Sequence, residues 1–329
     1  MTNIIEEDIT FPVPYRDQTL QLRGRVLRPA APGAEQEALP PVVFNSGFTG
    51  GASMYGQLVG KALAEHGYRV MTYDVAGFFK NKDVRNTFKR DGRTITDVSL
   101  EDQKIEVLAA VSWTKARFGR MPVVASWAMG SVASLAAVAE LARAGGDQIP
   151  YYVPMNYTRI ASLQGLRADQ AGAHDAIDQL ADDEGIPPFD TGTPATRLGY
   201  YPLDPATQAY VDLQLGGYTD AEGVERWPGC AHVSARSYKE GLVFDPEAGL
   251  GAAADRYPPA LIIHGAWNTL HMPGESIRLH QAYPGKKQAR PLMIEGMEHG
   301  QQMAADNQIF QYMIEQIDQG IRAHCTQAA

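Results

Sequence analysis

Cysteine is almost absent from this chain of 329 residues: only Cys230 and Cys325 occur, and they form no CxxC pair. That excludes a disulfide-stapled scaffold and a cysteine-rich zinc module, and it sets the expectation of a reduced, cytoplasmic protein. The eight histidines show neither an HExxH motif nor a Cys/His ligand spacing, so no metal and no cofactor is expected. Positive charge is also scarce. Lys and Arg total 29 against 38 Asp and Glu, a net charge of −9. Such a surface repels phosphate backbones and anionic lipid, which argues against nucleic acid or membrane partners and leaves a small molecule. A homodimer is compatible with this composition. The opening stretch MTNIIEEDITF is acidic and has no apolar run, so no secretory leader is expected. Hydrophobic residues at 44% against 20% charged exclude a disordered polyelectrolyte.

Long apolar runs are missing but for one. Residues 121–139, MPVVASWAMGSVASLAAVA, carry no charge and are long enough to cross a bilayer. Ser, Gly and Pro dilute the run, which reads better as a buried strand, a sharp turn and a buried helix of small residues. Phosphate-binding signatures fail on context. GLGAAA at 249–254 imitates a dinucleotide fingerprint but follows FDPEA, which is no strand, and GFTGG at 47–51 lacks the Lys-Ser/Thr ending.

What is present is alternation of strands and helices. Residues 7–28 read as an opening antiparallel hairpin, and PVVF at 41–44 as a short apolar strand. Tyr55, Leu58, Val59, Ala62 and Leu63 then repeat with helical spacing, and Gly67 ends that helix. YRVMTYD, MPVVAS, IPYYVPM, PALIIH and PLMI follow as strands. Helices are predicted from Ser99 to Phe118, after Ala128, over GESIRLHQAY, and through Phe310, Met313, Ile314, Ile317 and Ile321. This order predicts an α/β fold, a mostly parallel sheet with helices on both faces. Residues 75–98 are polar and irregular. Residues 157–257 break the rhythm with Asp, Gly, Pro and Tyr. The expected division is therefore a core of 1–156 and 258–329 with 157–257 inserted as a cap.

Three short segments follow predicted strands: SWAMG at 126–130, HGAWN at 264–268 and GMEHG at 296–300. Sites in open parallel sheets form beyond the carboxyl ends of strands, so the three are expected to converge. With VVFNSGFTGG and GYRVMTYDVAGF before them, these segments resemble the α/β-hydrolase superfamily, in its dienelactone-hydrolase-like and X-prolyl-peptidase-like branch. The resemblance implies an α/β-hydrolase fold with an inserted cap, and a nucleophile elbow of the form small-x-Ser-x-Gly. It also implies an acid after His-Gly-x-x, a histidine after the last strand, and an oxyanion hole of backbone N–H groups.

The chain departs from that pattern twice. Ser126 and Gly130 satisfy the elbow's demand for small flanking residues, but the nucleophile position is Ala128, and Ser126 and Ser131 are expected to point elsewhere. Asn268 stands where the family has an acid; it can orient an imidazole by accepting from its N–H but cannot stabilise an imidazolium by charge. The preceding strand ends at Asn156, so no acid stands there either. His299 matches its position, and Phe48 and Met129 are the expected oxyanion donors.

His264 reads as a structural histidine at a strand end. Trp127, Trp267 and Tyr157 are candidates for an aromatic substrate wall beside their plainer role in packing, and Tyr200, Tyr201, Tyr210, Tyr218 and Tyr238 for a lid. Arg159 and Arg167 are the cations that could meet a carboxylate. Two readings follow. One is a serine hydrolase of small apolar or aromatic esters, lactones, thioesters or amides, inactive here because Ala replaces the parent serine. The other is a chain naturally without the serine, acting as a ligand-binding protein or as a lyase or isomerase with His299 as base.

Overall fold

The structure, a computed structural model, describes residues 3–15, 18–47, 55–77, 79–81, 84, 87–90, 93–96, 99–162, 165, 169, 174–182, 185–186, 218–219, 225–226, 232–268, 271–284, 288–300 and 304–325. The chain divides into two compact units, one of residues 1–74, 104–158 and 246–329, the other of 75–103 and 159–245.

The first unit is built on one eight-stranded sheet. Its strands are β1 (Ile4–Tyr15), β2 (Gln18–Pro29), β3 (Val42–Asn45), β4 (Val70–Tyr73), β5 (Val123–Trp127), β6 (Tyr152–Met155), β7 (Ala260–Gly265) and β8 (Ala289–Ile294). Their spatial order is β1-β2-β4-β3-β5-β6-β7-β8. β1 and β2 form the expected antiparallel hairpin, and β2 also runs antiparallel to β4. From β4 to β8 every pairing is parallel. The central strands VVFN, VMTY, VVASW and YVPM are buried at every position, because a parallel sheet covered on both faces has no side left for water.

The helices of this sheet are α1 (Tyr55–Glu65), α2 (Leu100–Phe118), α3 (Met129–Ala144), α4 (Pro273–Ala282) and α5 (Gln308–Cys325). α1 brings Val59 and Leu63, and α5 brings Phe310, Met313, Ile314, Ile317 and Ile321, into one core with Phe44, Ala125, Val153 and Ile263. α3 packs on β5 and β6 and is buried along nearly its whole length, which its Ala, Ser and Gly side chains permit. The charge-free run 121–139 is thus β5, a turn and α3. No helix among the described residues is long and apolar enough to cross a membrane.

The second unit has its own four-stranded sheet of 87–90, 93–96, 232–234 and 185–186, in that order. Residues 93–96 pair parallel with 232–234, His232 opposite Ile95. The segment 75–103, read from sequence as an irregular connection within the core, therefore belongs to this unit, whereas 246–257 packs with the first. Glu247 accepts from the Tyr157 hydroxyl at 2.7 Å and pairs with Arg278. Local patterning misses such strands because their partners lie far along the chain. Within the unit, Ser234 caps the helix Ala235–Val243 by accepting from Ser237 N–H at 3.1 Å, and Arg159 is paired with Asp245. Tyr200, Tyr201, Tyr210 and Arg167 lie outside the described residues, as do the side chains of Tyr218 and Tyr238.

Ile317 is fully buried on α5, whereas Ile277 on α4 is 44% exposed. Ile317→Ala should lower the free energy of unfolding by about 2–5 kcal/mol. Ile277→Ala should cost well under about 1 kcal/mol, both measured by urea denaturation.

Candidate functional site

The elbow forms where β5 hands over to α3. Ala128 stands between them at φ 52° and ψ −125°. A residue with a Cβ in that region costs on the order of 1–3 kcal/mol and persists only where its surroundings impose it. Here they do. Ala128 N–H donates to Met155 O at 2.9 Å, and Ser131 N–H donates to Ala128 O at 2.9 Å.

The turn is also pressed against the loop after β3. A Cβ on Gly130 would lie 2.6 Å from both Asn45 O and Gly47 N. One on Gly47, itself at φ 79°, would lie 2.6 Å from Trp127 O. Only glycine fits at either place, which is the physical content of the small residue two positions after the elbow. Ser126 is buried, in register with Asn45 and Pro154. Ser131 Oγ bonds the backbone of Met155, with distances of 3.0 Å to its O and 3.2 Å to its N. Neither hydroxyl replaces the one missing at Ala128. Met129 opens α3, while Phe48, its expected partner in an oxyanion hole, lies outside the described residues.

The loops after β7 and β8 meet in the same backbone-to-backbone manner. A Cβ on Gly265 would lie 2.4 Å from Met297 O and 2.7 Å from Glu298 O. Trp267 N–H donates to Met297 O at 3.0 Å. This contact sets Asn268 beside His299. The imidazole lies edge-on to Trp127, with ring centroids 6.3 Å apart, and to His271, at 4.6 Å. Asn268 is 2% exposed. Its Oδ1 accepts from the His271 N–H at 2.9 Å, and its Nδ2 lies 3.2 Å from His299 Nδ1. The pair expected from sequence is therefore in contact, but with reversed polarity: an amide nitrogen only donates, so Asn268 gives a hydrogen bond to the ring where it was expected to accept one.

Sequence reasoning undervalued Asn156. It occupies φ 51° just beyond β6. Its Oδ1 accepts from Gly265 N–H at 2.9 Å, its Nδ2 donates to His299 O at 3.0 Å, and its own carbonyl accepts from His271 Nδ1 at 2.8 Å. One side chain thus joins the ends of β6 and β7 to the His299 loop. A polar residue one step past an apolar strand was the available signal.

His264 is fully buried and satisfied at both nitrogens. Nε2 donates to His271 O at 2.8 Å, and Nδ1 accepts from the Ser276 hydroxyl at 2.6 Å. Burial lowers its pKa to about 4. Burial, and secondarily the neighbouring His264, lowers that of His299 to about 3. Both rings are neutral at pH 7.

The three aromatic candidates are placed differently. Trp127 is buried in the core beside His299. Trp267 is 54% exposed and gives its indole N–H to Glu295 at 2.8 Å. Tyr157 is buried, its hydroxyl committed to Glu247. Among the described residues no group of His, Cys, Asp and Glu has the grouping to hold a metal ion.

No protein-family model and no curated protein matches the sequence. Solved structures do match along the whole chain. The α/β hydrolase GrgF from a Penicillium species is 14% identical with a TM-score of 0.65, over 98% of this chain and 99% of that one. A thermophilic esterase from Thermogutta terrifontis, solved with malate bound, is 11% identical with a TM-score of 0.57, over 95% and 99%. Est1E from Butyrivibrio proteoclasticus is 14% identical with a TM-score of 0.54, over 97% and 98%. At such identities the likeness concerns the fold, and it agrees with the strand order and the elbow: the chain has the α/β-hydrolase fold.

Proposed function

We propose that this chain carries a hydrolase-type site for the carbonyl group of a small apolar or aromatic ester, lactone, thioester or amide, with Ala128 at the nucleophile position. The observation that carries this reading is the backbone of Ala128, held at φ 52° by two hydrogen bonds and by contacts at Gly47 and Gly130 where no larger residue fits. An alanine gains nothing from that conformation. A serine there would stand out from the turn towards a bound carbonyl carbon. Backbone N–H groups at Met129 and Phe48 would polarise the carbonyl oxygen, and they survive any side-chain change. The chain as it stands binds such a substrate without forming an acyl-enzyme, because no oxygen is present to attack it. Substrate selection belongs in this proposal to residues 159–245, the part of the expected insertion that lies in the second unit, acting as a cap, and the dienelactone-hydrolase-like or X-prolyl-peptidase-like branch remains part of the same reading.

A second reading is favoured by one specific observation, the amide of Asn268 in place of an acid against His299. A chain naturally without both groups would bind its ligand, or act on it as a lyase or isomerase through His299. The two readings share the site and differ in what residue 128 is in the parent protein.

The double variant Ala128→Ser/Asn268→Asp tests the proposal. The chain as it stands should resist a serine-directed fluorophosphonate, whereas the folded double variant should be labelled and should hydrolyse small activated esters. The gain in turnover should reach several orders of magnitude, since loss of one member of such a triad removes about that much. A folded double variant that is neither labelled nor active would refute the hydrolase reading.

The neutral histidines predict an acid limb of stability. His264 and His299 have folded pKa values of about 4 and about 3, below the ordinary 6.5. Between those values the unfolded chain binds protons that the folded chain refuses, so stability is full above pH 6.5 and falls as pH drops towards 4 and then 3. His299→Gln should make this loss shallower when unfolding is compared at pH 7 and pH 5.

A further inference from the structure

We infer that Asn268 is a positioning residue that holds His299 in the tautomer with its proton on Nε2, so that the imidazole offers an N–H donor and not a basic lone pair. The inference rests on the site proposed above, and it concerns what that site presents to a ligand.

One backbone group at the site has no choice of role. His271 N–H lies 2.9 Å from Asn268 Oδ1 and can only donate. Rotating the amide by half a turn would set its NH2 against that N–H, two donors at hydrogen-bond distance. The turn from Asn268 to His271 therefore fixes which end of the amide is oxygen, as short polar side chains commonly do with the backbone a few residues on. Nδ2 is then the atom 3.2 Å from His299 Nδ1, so Nδ1 accepts. A neutral imidazole has one proton, and with Nδ1 accepting it sits on Nε2.

His264 fits the same arrangement. Its Nε2 proton is used by His271 O and its Nδ1 accepts from Ser276, so its 3.3 Å approach to Asn268 Nδ2 is a contact between two donors and not a competing bond. Asn156 closes the frame by holding the His299 carbonyl at 3.0 Å and the His271 ring at 2.8 Å.

The consequence reverses the usual role of such a histidine. In an acyl-transfer site an acid accepts from Nδ1–H, which leaves the Nε2 lone pair to take the proton of a serine. Here Nε2 already carries a proton. The alanine and the asparagine therefore belong together: one removes the nucleophile, and the other removes the base it would need. What remains is a neutral donor suited to an uncharged acceptor, such as the oxygen of a ketone, ester or amide. An Asp at 268 would undo this, since one carboxylate oxygen can accept from His271 N–H while the other accepts from Nδ1–H.

Two-bond proton–nitrogen correlation spectra of the ¹⁵N-labelled chain as it stands, with the His299 signals assigned by comparison with His299→Gln, read the tautomer directly. That chain should show His299 neutral with its proton on Nε2, and Asn268→Asp should move that proton to Nδ1. A His299 with its proton on Nδ1 in the unsubstituted chain would overturn the inference, and that measurement needs no variant at position 268. Kinetics supply a second readout. Ala128→Ser alone should react with a fluorophosphonate on the order of a thousandfold or more slowly than Ala128→Ser/Asn268→Asp, as expected when the imidazole is held in the wrong tautomer. Equal rates would also overturn the inference, and they would leave the hydrolase reading intact. Spectra that show the switch in a double variant that stays unlabelled would support the inference and refute that reading.

Discussion

Close approach of one backbone to another, at the carboxyl ends of the parallel strands, is the constraint on which the site depends. Gly47 against Gly130, and Gly265 against Met297 and Glu298, leave less than 3 Å for any Cβ. At those distances the loops have one relative position each. The elbow at Ala128 and the side-by-side placement of Asn268 and His299 both follow from these contacts, as does the positive φ that Ala128 tolerates. The sheet beneath supplies the rigidity, because its central strands are buried on both faces and have no solvent side on which to relax.

Polar groups then complete what the close contacts begin. Asn156 and Asn268 are both buried, and each bonds backbone as well as a histidine. Buried polar atoms left without partners are costly, so a network of this kind resists single changes and keeps its members in one arrangement. Burial, and not this network, keeps two imidazoles neutral there, since charge would be poorly solvated. The arrangement of these side chains is thus fixed by the directions in which their hydrogen bonds run.

Much of this was legible in the chain of letters. The apolar strands, the helical stripes of α1 and α5, and the three segments after strands sufficed for the parallel sheet and for the residues that gather at its edge. The missing elbow hydroxyl was plain at once. Other features could not be read in this way. Residues 93–96 pair with 232–234, and no local periodicity signals a strand whose partner lies so far along the chain. The direction of the Trp267 indole, which a turn sends to Glu295, is likewise beyond what its place next to Asn268 in the sequence reveals. Asn156 shows in the sequence only as a strand end without an acid, because its bonds to Gly265 and His299 join residues more than a hundred positions apart.

Residue type and spacing by themselves determined the fold class, the place of the strand-to-helix turn and the lack of a hydroxyl on residue 128, because these depend on local periodicity and on which atoms a side chain possesses. Tertiary structure alone decided the sense of the bond between Asn268 and His299. An asparagine can donate or accept with equal ease, and the choice was made by a backbone N–H three residues on whose direction is set by the turn that carries it.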